Sequence, residues 1–153
     1  STRDFGVKLK HNINRHAVRG KKVVLIDDSI VRGTTSVKIV ELMRQAGAQE
    51  VHMKIASPPI KYPDFYGIDT PEKEQLLASL KSEEEMAAYI GADSLSFLSV
   101  DGLYRAMGHE NGRDNNNPAF TDHCFTGDYP TPLEDNNIAW LFETSQLSVR
   151  NEN

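Results

Sequence analysis

Two adjacent carboxylates, Asp27 and Asp28, directly follow the apolar run at residues 23–26, and a loop rich in glycine and hydroxyl groups comes next. Paired carboxylates accept hydrogen bonds from sugar hydroxyls, or they bind a hard divalent cation such as Mg²⁺. Loops between a strand and a helix bind phosphate through their N–H groups and the partial positive charge of the helix N-terminus. Acids and phosphate donors in one loop predict a sugar phosphate as ligand.

The loop that follows the acids supplies hydroxyl, guanidinium and backbone donors. These residues are Ser29, Arg32, Gly33, Thr34, Thr35 and Ser36. Gly33 lets the backbone approach a phosphate closely, because it has no side chain. A second interpretation stays open at this point, since two aspartates after a strand are also common turn formers and helix caps.

Other phosphate motifs do not fit the chain. It contains no Gly-x-Gly-x-x-Gly segment, which disfavours a dinucleotide site of the Rossmann type. It also contains no Gly-x-x-x-x-Gly-Lys-[Ser/Thr] segment, so the strand ending in two aspartates lacks the partner that a P-loop NTPase requires.

The acids need a parallel sheet to position them, and the flanking pattern predicts one. The continuous apolar run at 23–26 indicates a strand buried on both faces, as in parallel sheets. A helical period covers 34–45 and ends near Gly47, and alternation at 51–56 indicates a second strand. Strand, helix and strand in this order predict a βαβ unit.

Further elements follow along the chain. We expect a helix from Pro71 to Leu80 with Thr70 as its N-cap, and a second helix that begins at a Ser82–Glu85 capping box. The remaining predictions are a strand at 94–98, a helix at 100–107, a polar linker at 109–118 and an irregular stretch at 120–132. The termini add a short strand at 7–9 and an apolar cluster at 138–142.

Bulk properties limit the class of protein. A chain of 153 residues with 39% hydrophobic and 25% charged residues is typical of one globular domain. The net charge of -5 disfavours nucleic acid and anionic membranes as partners. The one cysteine, Cys124, excludes an internal disulfide and fits a reducing compartment, so we expect a cytoplasmic location. No apolar run approaches the ~20 residues that span a bilayer.

Residues 23–36 closely resemble the phosphoribosyl pyrophosphate (PRPP) loop of type I phosphoribosyltransferases. The sequence of residues 28–35 resembles the motif of the glutamine-dependent branch of this family. Other segments resemble signatures of the same branch in the same order. They lie at 6–10, 56–59, 66–69, 90–95 and 124–130. The resemblance extends from about residue 3 to residue 132.

The resemblance implies a fold, an activity and a site. The fold would be α/β, with part of a Rossmann-like parallel phosphoribosyltransferase sheet at residues 1–100 and a helical and irregular extension at 101–153. Asp27 and Asp28 would contact the ribose hydroxyls and Mg²⁺ of PRPP, and residues 32–36 would bind its 5′-phosphate. The family joins glutamine-derived ammonia to C1 of the ribose and expels pyrophosphate, in the first step of purine synthesis.

Family members also carry an N-terminal glutaminase domain and an earlier part of the transferase domain, and neither is found in this sequence. We therefore expect the chain to be inactive alone. The expected partners are those missing regions, PRPP, purine nucleotides and further copies in a homo-oligomer, with no nucleic acid and no membrane. The alternative is a non-catalytic module that binds PRPP or a nucleotide.

Some members bind a [4Fe–4S] cluster through four cysteines. The resemblance aligns three of those positions with Asp64, Thr121 and Cys124, so only one thiol is present and no iron–sulfur cluster is expected. A zinc site around His123 is a weaker alternative, because the sequence offers no second cysteine. Cys124 is predicted to be a small packed hydrophobic residue.

Overall fold

The computed structural model describes residues 13–133, which form a three-stranded parallel sheet with helices. The strands are β1 (Lys22–Asp27), β2 (Glu50–Ile55) and β3 (Ser94–Phe97). The helices are α1 (Arg15–Val18), α2 (Thr34–Gln45), α3 (Leu77–Leu80), α4 (Glu83–Ile90), α5 (Val100–Ala106) and α6 (His123–Thr126), with a 3₁₀ turn at Lys73–Gln75.

The sheet has the order β1-β2-β3, and every pair of neighbours is parallel. Val23 pairs with Val51, and Met53 pairs with Leu95. The predicted βαβ unit is thus confirmed, with α2 connecting β1 to β2. Because parallel strands end at the same edge, Asp27 and Asp28, at the end of β1, lie at the carboxyl edge of the sheet.

The core lies between one face of the sheet and helices α2, α3 and α4. Its buried residues are Ile30, Val40, Val51, Met53, Ile55, Leu77, Ala78, Met86 and Ile90. Arg44 of α2 ties this layer to the start of β3, because its guanidinium lies 2.6 Å from Asp93 Oδ2. The same Asp93 oxygen accepts the N–H of Val51. Helix α2, which follows the acidic loop (the loop that begins with Asp27 and Asp28), is therefore fixed to the sheet at its C-terminal end.

The prediction that β1 is buried on both faces is wrong. Val24 is 58% exposed and Ile26 is 79% exposed, whereas Val23 and Leu25 are partly buried. The reason is that the core helices cover one face of the sheet, and no described element packs on the opposite face at β1. A continuous apolar run indicates that a strand tends to be buried, but it does not indicate which elements cover the two faces of that strand.

The predicted helix from Pro71 to Leu80 is also wrong. The chain forms only the 3₁₀ turn, then an extended residue at Leu76, and then the single turn of α3. Thr70 does not cap a helix; its hydroxyl accepts the N–H of Asp64 at 2.6 Å. Leu76 is fully buried, which gives a tertiary reason for the break in the helical pattern.

Other local predictions are confirmed. The Ser82–Glu85 capping box begins α4, and Gly91 ends it with a left-handed backbone. Ser99 caps α5 through the N–H of Gly102. The prediction of an irregular stretch at 120–132 is wrong in part, because this stretch contains the short helix α6. The strand predicted at 7–9 and the apolar cluster at 138–142 lie outside the described residues. Within residues 13–133, no helix is long and apolar enough to cross a membrane.

Candidate functional site

The acidic loop forms a pocket of about 330 Å³ at the carboxyl end of β1. Its lining is the continuous stretch of residues 27–36, so the two acids and the six donor residues named for the loop surround it, together with Ile30 and Val31. The end of β1 is fixed by the Asp27 carbonyl, which accepts the N–H of Ala56 at 2.9 Å. The structure therefore brings the predicted residues together on one concave surface.

The two carboxylates face solvent and make only local contacts. Asp27 Oδ1 accepts the N–H of Asp28 at 3.0 Å, and Asp28 Oδ1 accepts the N–H of Ser29 at 2.7 Å. Asp27 is partly buried and Asp28 is exposed. Within residues 13–133, both carboxylates accept these hydrogen bonds through Oδ1 and not through Oδ2. Two adjacent carboxylates of this kind fit Mg²⁺, which takes oxygen ligands and is commonly bound by one or two carboxylates plus substrate phosphates.

The N-terminus of α2 faces the same pocket. Gly33 is its N-cap, with φ of +76° and no side-chain cap. The first N–H groups of a helix have no partner within the helix, and here no capping side chain takes them. Thr34 and Thr35 are exposed, and Ser36 is buried in the fold while still lining the pocket. Free N–H groups, hydroxyls and the helix dipole together suit an anion such as phosphate.

The underside of the loop is anchored in the core. Ile30 is 2% exposed and belongs to the main apolar cluster. The carbonyl of the next residue, Val31, accepts the N–H of Leu77 in α3 at 2.8 Å. The loop is thus attached to a downstream helix as well as to β1, and no local sequence signal indicated that attachment.

A second polar cluster joins the loop after β2 to helix α6, and the sequence analysis named its residues only in connection with possible metal sites, not as a buried pair. His123 Nε2 lies 2.6 Å from Asp64 Oδ1, and both side chains are almost fully buried. Asp64 Oδ2 accepts the N–H groups of Tyr66 and Ile68. His123 Nδ1 is buried with no partner among the described residues. Tyr129 packs beside the imidazole, with ring centroids 5.0 Å apart.

We expect the Asp64–His123 contact to stabilise the fold in a pH-dependent way. Burial alone would raise the pKa of Asp64, but hydrogen bonds from Ile68, Tyr66 and His123 outweigh it and the pKa lies below its usual range. A lowered pKa in the folded state contributes stability above the unfolded value of about 4, which is lost as the pH falls through the folded value.

Asp64→Asn should therefore lower the free energy of unfolding by about 2 kcal/mol at pH 7, and by less below about pH 4. Thermal melts of both chains between those pH values test this. Asp69→Asn, at an exposed aspartate of the same loop, is the control and should follow the wild-type curve. If the melting temperature of Asp64→Asn differs from that of wild type by the same amount at every pH, the Asp64–His123 contact does not stabilise the fold in a pH-dependent way.

A third polar cluster lies around a residue that the sequence analysis placed in a plain linker. The side chain of Arg113 is only 8% exposed, with its Nε 2.6 Å from Asp122 Oδ2 and an Nη 2.6 Å from Asp128. The Tyr104 hydroxyl donates to the same Asp122 oxygen at 2.7 Å. The linker is thus attached to α5 and to the segment before α6. A single arginine in a polar stretch gave no sequence signal for this.

The residues do not fit a [4Fe–4S] cluster. The chain has one cysteine, while the other two aligned positions carry Asp64, already bonded to His123, and Thr121. Burial and the nearby charge of Asp64 raise the pKa of the Cys124 thiol, which disfavours the thiolate that a cluster needs. Cys124 is partly buried, in line with a packing role.

Curated relatives match most of this chain. It is 64% identical over 136 residues to an amidophosphoribosyltransferase of Rhizobium etli, and the matched region covers 88% of this chain and 27% of that protein. It is 54% identical over 131 residues to the amidophosphoribosyltransferase of Bacillus subtilis, covering 86% and 27% respectively. A chloroplastic amidophosphoribosyltransferase of Arabidopsis thaliana is 55% identical over 128 residues, covering 84% and 22%. No protein-family model matches the chain.

Solved structures give the same result. The glutamine PRPP amidotransferase from B. subtilis, complexed with ADP and GMP, superposes with a TM-score of 0.72 and 54% identity, over 80% of this chain and 27% of that one. A structure described as the allosteric regulatory enzyme of purine biosynthesis gives a TM-score of 0.70 and 53% identity, over 80% and 26%.

The parallel sheet and its helices are therefore part of a phosphoribosyltransferase fold. More narrowly, the chain is a relative of the amidophosphoribosyltransferases. It spans 27% of the length of the first curated relatives that it matches.

Proposed function

We propose that this chain is the PRPP-binding part of an amidophosphoribosyltransferase. The complete enzyme would form 5-phosphoribosylamine from PRPP and glutamine-derived ammonia, the first step of de novo purine synthesis. The observation that carries the proposal is the pocket of residues 27–36, where two carboxylates and the uncapped N-terminus of a helix share one surface. The relatives named for this activity support it.

Each part of the pocket has a distinct role in this proposal. Asp27 and Asp28 accept hydrogen bonds from the ribose hydroxyls and so hold the ribose of PRPP. The N–H groups and hydroxyls of residues 32–36 bind the 5′-phosphate. Fixing the ribose and the 5′-phosphate orients C1 of the ribose for attack by ammonia and removes much of the entropic cost of reaction. Bound Mg²⁺, with Asp27 and Asp28 as ligands, would neutralise charge on the pyrophosphate leaving group.

The transition state of this transfer resembles an oxocarbenium ion, so preorganised charges around the ribose and its leaving group matter most. The proposed residues of this chain bind and orient the substrate, and none of them acts as a nucleophile or as a general base. We therefore propose that this segment binds PRPP but does not turn it over alone, and that the remaining parts of the enzyme complete the site. Pyrophosphate release from PRPP and ammonia by this chain would contradict that division of labour.

Calorimetric titration with PRPP in the presence of Mg²⁺ tests the binding role. We expect Asp27→Asn and Asp28→Asn each to weaken binding by about tenfold, since each removes a charged acceptor worth more than about 1 kcal/mol. Asp69→Asn is the matched control, because Asp69 is exposed and outside the pocket. Equal affinity in all four proteins, or no binding to the wild-type chain, would refute the proposed site.

The wider setting is also a proposal. We propose that the complete protein binds purine nucleotides, because the B. subtilis structure is described as complexed with ADP and GMP. We also propose that it forms a homo-oligomer. We place it in the cytoplasm on the grounds of its single cysteine, although relatives from plants are named chloroplastic. We also propose a division into residues 1–100, which belong to the phosphoribosyltransferase sheet, and an extension at 101–153.

A further inference from the structure

Gly33, the N-cap of α2 in the pocket, has no space for a side chain. A Cβ atom at this position would lie 2.6 Å from Leu77 Cδ2 and 3.2 Å from Tyr89 Cε1. Leu77 comes from α3 and is buried, whereas Tyr89 comes from α4 and is 46% exposed. The phosphate-facing turn therefore lies directly on two side chains that are distant in sequence.

These two contacts have different consequences. Leu77 is part of the main core and also donates its N–H to Val31, so its replacement would disturb the whole fold. The ring carbons of Tyr89 lie beside Gly33, where an added Cβ would approach them to 3.2 Å, and the ammonium of Lys81 lies 5.9 Å from the ring centroid. This is within the range of a cation–π contact, which helps to keep the ring in place. Tyr89 is thus a half-exposed residue whose ring supports the turn at Gly33.

We propose that Tyr89 is a positioning residue for phosphate binding. Its ring fixes the backbone of Gly33 and thereby the direction of the free N–H groups at the start of α2. Those groups bind an anion well only when they converge on one point, so a small movement of Gly33 weakens every donor at once. The inference deepens the proposed function and rests on it, because it assigns a new residue to the same phosphate site.

Binding of ribose 5-phosphate by calorimetry tests this role in four chains: wild type, Tyr89→Ala, Tyr89→Phe and Leu80→Ala. We expect Tyr89→Ala to bind about tenfold more weakly, a change that corresponds to about 1.4 kcal/mol. Tyr89→Phe should bind as wild type does, because the contact uses ring carbons and not the hydroxyl. Leu80→Ala is the control, since Leu80 is 60% exposed on the neighbouring helix and does not line the pocket.

Amide hydrogen exchange at residues 32–36 gives a second readout that does not depend on the ligand. Exchange should become faster in Tyr89→Ala and stay unchanged in Tyr89→Phe, while the melting temperature confirms that each chain is folded. Tyr89→Leu, which keeps apolar volume without the flat ring, should give intermediate affinity and serves as the second variant if the alanine chain fails to fold.

The outcomes separate the inference from the proposed function. Wild-type affinity and unchanged exchange in Tyr89→Ala would overturn the positioning role and leave the phosphate site intact. Weak binding in Tyr89→Phe as well would also overturn it, because the ring carbons are retained there. Absence of binding by the wild-type chain would overturn the proposed function. In that case unchanged exchange in Tyr89→Ala would still show that the ring of Tyr89 does not fix the backbone of Gly33.

Discussion

Replacing Gly33 with alanine is expected to abolish detectable binding of ribose 5-phosphate and to lower the free energy of unfolding by about 2–3 kcal/mol. Two causes add at this position. The backbone has φ of +76°, which disfavours any residue with a Cβ. The new Cβ would also lie 2.6 Å from Cδ2 of the buried Leu77, so the Leu77 side chain, the loop or α3 has to shift. Calorimetry and chemical denaturation measure the two effects.

Gly20→Ala separates the backbone cost from the steric one. Gly20 has a similar φ of +72°, but a Cβ there would meet nothing within 4 Å. We expect this control to lose about 1 kcal/mol of stability and to bind the ligand as wild type does. If Gly33→Ala behaves like Gly20→Ala in both measurements, the close contact beneath the loop does not determine its shape.

The largest loss of stability is expected for Asp122→Asn. This carboxylate is buried, accepts from Arg113 and Tyr104 through Oδ2, and is contacted by Thr126 through Oδ1. Burial alone would raise its pKa, but the hydrogen bonds from Arg113 and Tyr104 lower it, so it is ionised in the fold. Removing its charge leaves the guanidinium of Arg113 buried without its main partner, at a cost of about 3–5 kcal/mol. The melting temperature should fall by about 10 °C.

Asp128→Asn is the matched control for this prediction. Asp128 lies 2.6 Å from an Nη of the same Arg113, but its side chain is 51% exposed. Exposed ion pairs contribute little, so we expect a loss of under about 1 kcal/mol. Equal losses for the two variants would mean that burial of the Arg113–Asp122 pair does not set its energetic importance. Ligand binding should be unaffected in both, because neither residue lines the pocket of residues 27–36.

Local signals were sufficient for the elements around the acidic loop. The apolar run before Asp27, the helical period of α2 and the Ser82–Glu85 capping box each act over a few residues, and the structure contains all three. Residues 27–36 were predicted to share one site because they are adjacent in sequence, and they line one pocket. Here the sequence order and the spatial arrangement coincide.

Contacts between distant segments could not be predicted in this way. Asp64 and His123 are separated by 59 positions, and neither belongs to a periodic pattern that would place it near the other. Helical spacing from Pro71 to Leu80 indicated one helix, but burial of Leu76 and the hydrogen bond from Leu77 to Val31 decided the conformation. Exposure of Ile26 depends on what covers the sheet, which the strand itself does not encode.

The most direct test of the central claim is a titration of the ¹⁵N-labelled chain with PRPP and Mg²⁺, followed by amide chemical shifts. We expect saturable shifts at residues 27–36, with smaller shifts at Tyr89 and at Leu77, which support the loop. Asp27→Asn should reduce these shifts at equal ligand concentration. The structure has another pocket, which is lined by residues 118–121 and 128–130. Shifts that cluster around that pocket, or no shifts at all, would contradict the assignment of the PRPP site to the acidic loop.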